Sequence, residues 1–107
     1  DYERRLDAAH RPFHQALASA RNQMLRDHGE LLLIDLHSMP PLPRGSGAAS
    51  PCQIVVGNRH GRSAAAILAA EVAAHAADHG FAAAINAPYP GGHIAATYGA
   101  PSTGVHA

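Results

Sequence analysis

Cysteine occurs once in the chain, at Cys52, so no disulfide can form within it. A lone thiol fits a reducing compartment, and a cytoplasmic location is the expectation. Tryptophan is missing, and every one of the eight basic side chains is arginine. Eight acidic residues balance them to a formal net charge of zero. That balance leaves no electrostatic footprint for nucleic acid or for an anionic membrane, and neither is an expected partner. No apolar run approaches the roughly 20 residues that span a bilayer, and no secretory signal is visible. Also missing are a G-x-S-x-G elbow, a P-loop, a Rossmann glycine fingerprint and a paired-cysteine zinc motif.

What is present bounds one small domain of 107 residues. Hydrophobic residues make up 47% of the chain but aromatics only 5%, and alanine supplies much of the rest, so the core should be modest. Nine histidines in so short a chain make its charge sensitive to pH between about 6 and 7.

Leu6, Phe13, Leu17, Ala20, Met24 and Leu25 recur at helical intervals across residues 1–29, and Gly29 is a natural stop. Pro12 either opens a helix near Arg11 or kinks a longer one. Leu31 to Leu36 reads as a strand buried on both faces. The stretch "HSMPPLPRGSGAASP" that follows is a long loop rich in Pro, Gly and Ser. "CQIVVG" and "FAAAIN" are further strands, with the helix "AAAILAAEVAAHAADH" between them, Ser63 as its N-cap and Gly80 at its end. A Gly/Pro-rich loop closes the chain. Strand, helix and strand between Gln53 and Asn86 form a βαβ unit, so the fold class is α/β with a mainly parallel sheet flanked by helices. Three parallel strands cannot cover both faces and both edges by themselves. The segment is therefore expected to be a fragment of a larger domain.

Ligands of open α/β sheets bind beyond the carboxyl ends of the strands. Those ends are here His37-Ser38, Gly57-Asn58-Arg59 and Asn86-Ala87-Pro88, each leading into a Gly- or Pro-rich turn. Asp35 and His37 share one face of a strand, where a carboxylate can orient an imidazole toward a metal; the alternative is a strand-end pair that meets water. Arg59 and Arg62 could hold a substrate carboxylate through paired hydrogen bonds, or simply be solvated in a turn. Arg44 lies in the long loop and could close over a site. His10 with His14, and His75 with His79, have a spacing that can bind metal. However, Glu71, His75, Asp78 and His79 form one solvent-facing stripe, and His10 and His14 read as structural or surface residues. Tyr89, Tyr98 and His106 could line a pocket beside Gly91-Gly92-His93, with packing as their other role. Cys52 reads as a small buried hydrophobe.

Four phrases, "HRPFHQAL" (10–17), "LLLIDLHSMP" (31–40), "IVVGNRHGRS" (54–63) and "NAPYPGGHIAATYGAPSTGVHA" (86–107), together resemble the N-formylglutamate amidohydrolase family. The resemblance implies an α/β fold similar to that of zinc carboxypeptidases. It also implies hydrolysis of N-formyl-glutamate, a small N-acyl amino acid, to formate and glutamate late in histidine degradation. His37 then matches a zinc ligand, and Arg59 a motif arginine for the substrate carboxylates, with Arg44 as its rival and Asn86 as a further substrate-binding candidate. Asn58 stands where the family commonly has aspartate, and His93 where tyrosine is usual. A charge is thereby removed near the site, and altered substrate preference or reduced activity is expected. The family's earlier metal motif would precede Asp1 and its general-base glutamate would follow Ala107. The 107 residues are then the central to C-terminal part of one amidohydrolase domain, inactive alone. Another zinc amidase of carboxypeptidase-like fold, or a non-catalytic α/β binding module that has lost the metal, are the competing readings.

Overall fold

The computed structural model describes residues 1–42 and 52–107; Arg44 lies outside them. Asp1 opens the first helix by accepting the backbone N–H of Arg4 at 3.0 Å. Helix α1 (Tyr2–Arg5) runs through a π-helical stretch (Leu6–His10) into α2 (Arg11–His28). Pro12 explains the junction: proline has no N–H to return to the previous turn, and the chain ahead widens, with Arg11 N–H reaching back to Leu6 O. The first expectation for Pro12 is met, since α2 starts at Arg11 with Pro12 in its first turn, while the chain before it is already helical. Gly29, at φ 80°, ends α2 with its N–H on Leu25 O.

Two parallel strand pairs follow. Strand β1 (Leu31–Leu32) pairs with β4 (Val105–His106), and β2 (Ile54–Val56) pairs with β3 (Ala83–Ile85). Helix α3 (Ala66–Asp78) connects β2 to β3 and packs on both, which is the expected βαβ unit. Gly104 lets β4 approach the end of α2: a Cβ there would lie 2.6 Å from Gly29 O. Helix α4 (His93–Tyr98) lies between β3 and β4 in the chain.

Two expectations about strands are corrected. The strand expected over residues 31–36 stops at Leu32, with one further bond from Leu33 N–H to His106 O. Its partner β4 is only two residues long, so the ladder runs out. Ile34 and Leu36, expected to be buried, are 64% and 88% exposed. The second correction is β4 itself. Its two residues sit in a Gly/Pro-rich tail with no alternation to mark them, yet they are what β1 pairs with.

The core is small and built from Leu31, Ala64, Ala69, Ala95, Tyr98 and Val105. Helix α3 packs inward through Ala69, while Glu71, His75, Asp78 and His79 face solvent as expected. Its N-cap is not Ser63. The helix begins after Ala65, and the Ala65 N–H goes to His106 Nδ1 at 3.1 Å. Ser63 is fully buried; its carbonyl accepts Ala107 N–H, and its hydroxyl has no partner among the described residues.

Candidate active site

A cavity of about 1170 Å³ separates residues 32–42 from residues 52–58. Leu68, Ala69 and Val72 of α3 line it, and Tyr89 to Gly92 close part of it. Two of the three expected strand ends therefore meet at one cavity, His37-Ser38 on one wall and Gly57-Asn58 on the other. At the third, Asn86 to Pro88 do not line it, and the loop just beyond them does.

On the first wall, His37 Nε2 lies 2.8 Å from Asp35 Oδ2. Their two-residue spacing brings them together although the segment is outside the strand ladder. Hydrogen bonding of Nε2–H to the carboxylate assigns the proton of a neutral imidazole to that nitrogen. Nδ1 is then left as the lone-pair donor. The His37 side chain is 73% exposed and that of Asp35 34%. Among the described residues no three His, Cys, Asp or Glu side chains come close enough together to hold a metal.

The second wall is a turn with dense internal bonding. Arg59 and His60 adopt positive φ, 51° and 57°, a region that non-glycine residues seldom occupy. Asn58, buried below it, holds the turn. Its Oδ1 accepts Gly61 N–H at 3.2 Å and Asn86 Nδ2 at 2.7 Å, and its Nδ2 donates to Ala64 O at 3.2 Å. Asn86, itself at φ 59°, accepts Asn58 N–H on Oδ1 at 2.9 Å. Arg59 N–H donates to Pro90 O at 2.6 Å, which ties this turn to the loop after β3. The contact is so close that a Cβ on Gly57 would sit 2.7 Å from Gly91 N and the Pro90 carbonyl carbon.

The Asn58 side-chain amide is spent on the fold: Oδ1 accepts twice, and Nδ2 donates to Ala64 O, a bond an ionised aspartate could not make. Asn86 has both ends of its amide engaged by Asn58, so it holds the turn that carries Arg59. The Arg59 side chain runs along Gly91, and its guanidinium makes no hydrogen bond or ion pair among the described residues. Arg62 is exposed, with Nε on Arg59 O, as in the solvated-turn reading.

A further group joins α2 to α4. His14 Nδ1 lies 2.6 Å from the Tyr98 hydroxyl, which is also 3.2 Å from His14 O. The hydroxyl has one proton, so it donates to the carbonyl and accepts from Nδ1–H, leaving Nε2 bare. The two rings stack at 5.7 Å, His93 meets His14 edge-on at 5.7 Å, and Arg21 lies 5.4 Å over the Tyr98 ring. Desolvation, followed by repulsion from His10 and His93, lowers the His14 pKa below its ordinary value. The four-residue spacing of His10 and His14 was visible in the sequence. Their meeting with Tyr98 and His93, some 80 positions on, was not.

The family model for N-formylglutamate amidohydrolase matches residues 1–107. No curated protein sequence matches the chain. The crystal structure of N-formylglutamate amidohydrolase from Ralstonia eutropha JMP134 superposes with a TM-score of 0.83 at 27% identity, over 98% of this chain. The matched region is 39% of that enzyme's length. With the family model covering every residue and the same backbone recurring in a solved member, the chain belongs to the N-formylglutamate amidohydrolase family.

Proposed function

We propose that these residues form part of the active site of an enzyme that hydrolyses N-formyl-L-glutamate to formate and glutamate, late in histidine degradation. The observation that carries the reading is the Asp35–His37 pair at the mouth of the same cavity that the Arg59 turn borders. An imidazole whose second nitrogen is held by a carboxylate is a usual donor to hydrolytic zinc, so His37 fits the metal, with Asp35 orienting it or joining it. The described residues supply no complete ligand set, so the remaining ligands must come from elsewhere in the domain. When bound, zinc supplies Lewis acidity toward an amide carbonyl and toward water.

Arg59 supports the choice of an acidic substrate. Its guanidinium has no partner among the described residues, and Gly91 leaves room for the Arg59 side chain to pass; a guanidinium can take a carboxylate through two parallel hydrogen bonds. Arg44 is our candidate for the second carboxylate of the same molecule. Asn86 serves the substrate by keeping the Arg59 turn in place. Water adds to the formyl carbon, the C–N bond breaks, and the amine of glutamate leaves with a proton.

The test uses a polypeptide that contains residues 1–107 and extends to the length of the solved enzyme. Bound zinc and formate release from N-formylglutamate are measured for it, for His37→Ala and for Arg59→Ala. Expected are loss of zinc and activity in the first variant. In the second, KM should rise about tenfold or more with zinc retained, since a charge-assisted pair contributes about 1.5–3 kcal/mol. A parent that binds no supplied zinc and releases no formate would remove the proposal. Asp35→Asn should weaken zinc binding by about 10- to 100-fold.

A further inference from the structure

A group of ring side chains outside the cavity takes no part in the reaction proposed above: His10, His14, His93 and Tyr98, where α2 meets α4. His10 and His14 stand four residues apart across the junction of the π-helical stretch with α2, with Pro12 between them. His10 has helical φ and ψ, −64° and −53°, so the step to His14 is an ordinary helical turn and both rings leave the same face. Their centroids are 4.4 Å apart. The Tyr98 hydroxyl accepts Nδ1–H of His14 and donates to His14 O, which orients the ring and leaves Nε2 as a lone-pair donor. Tyr98 is buried and so is itself held in place. His10 is exposed, and the Asp7 carboxylate one turn before it is taken up by Arg11.

We propose that His10 and His14, the latter oriented by Tyr98, bind a divalent transition-metal ion of tetragonal preference, Ni(II) or Cu(II), at a site separate from His37. The ring spacing selects the class of ion. Two imidazoles on one metal at ~2.0–2.1 Å have centroids about 4.5 Å apart at an N–metal–N angle of ~90°, and about 5.2 Å apart at a tetrahedral angle. The observed 4.4 Å fits the first. Water fills the other positions, because no third His, Cys, Asp or Glu among the described residues completes a set. His75 and His79 have a similar spacing, 4.5 Å, but both rings are exposed and His79 lies past the end of α3. That pair has more freedom to lose on binding and is the weaker one. An ion on His10 and His14 spans Pro12 and ties the π-helical stretch to α2.

Titration with NiCl2 tests this on the same longer polypeptide, beside its His10→Gln, Tyr98→Phe and His75→Gln variants. The readout is the difference between variants, so ions taken up at His37 cancel. The parent should bind one Ni(II) that His10→Gln does not, and NiCl2 should raise the Tm of the parent and not of His10→Gln. Tyr98→Phe should weaken that binding about 10- to 100-fold, the usual effect of removing a group that orients a ligand. His75→Gln should bind it as tightly as the parent. Equal uptake by the parent and His10→Gln would overturn the proposal, as would unchanged affinity in Tyr98→Phe. Weak uptake lowered alike by His10→Gln and His75→Gln would mark two adventitious surface pairs and overturn it too.

Discussion

The two walls of the cavity differ in how they are held. The Gly57–Ser63 turn is fastened through Asn58, which makes six hydrogen bonds, and Pro90 and Gly91 press against it from the loop after β3. Residues 33–42 on the other wall have one ladder bond, at Leu33, and one side-chain pair, Asp35 with His37. Buried polar groups must find partners or lose stability; in the first wall those of Asn58 are met within the chain, while the Ser63 hydroxyl has none among the described residues. The second wall presents apolar side chains to the cavity. One wall of a site can thus be fastened from within the chain while the other has few bonds of its own among the described residues.

The sharpest way to break this contrast is to remove the fastening. Asn58→Ala removes the acceptor of Asn86 Nδ2 and of one of the two Gly61 N–H bonds and the donor to Ala64 O, and should cost about 2 kcal/mol in chemical denaturation. A loss below about 0.5 kcal/mol would mean that these side-chain bonds do not hold the turn. Gly57→Ala should come next, at about 2 kcal/mol, because its Cβ meets backbone rather than a side chain that can swing away.

A smaller effect is expected between α2 and α4. His14 is lowered below its ordinary 6.5, so between that value and the lower folded one the unfolded chain binds more protons. Its contribution is complete above about 6.5 and is lost as pH falls through the folded value. Thermal unfolding followed from about pH 8 to pH 5 should therefore show a steeper acid loss in the parent than in His14→Gln. Parallel curves would refute this role for His14. The smallest effect belongs to the open wall: Leu36→Asp should change the stability of the 107-residue chain by less than about 0.5 kcal/mol, since Leu36 is 88% exposed there. The same substitution in the longer polypeptide should be clearly destabilising, and equality of the two losses would erase the contrast between the walls.

Much of this was legible from residues alone. Gly29 stops α2, the βαβ order places Gly57-Asn58 at a strand end, and the two-residue step from Asp35 to His37 puts carboxylate and imidazole together. What escaped had a common cause. The partner of β1 is two residues in a Gly/Pro-rich tail, the Ala65 N–H ahead of α3 goes to His106 rather than to Ser63, and Asn58 is turned inward. Each depends on residues about 30 to 75 positions apart, which no local pattern encodes.

The sequence by itself determined the first helical segment, the βαβ unit and the family, because hydrophobic period, glycine stops and short motifs are local properties that survive in any context. Only the tertiary structure decided what each polar side chain does. Asparagine reads the same in a string of letters whether it faces a substrate or a buried carbonyl. At Asn58 the choice was made by Asn86, Gly61 and Ala64, which arrive from both sides and satisfy an amide that burial would otherwise penalise.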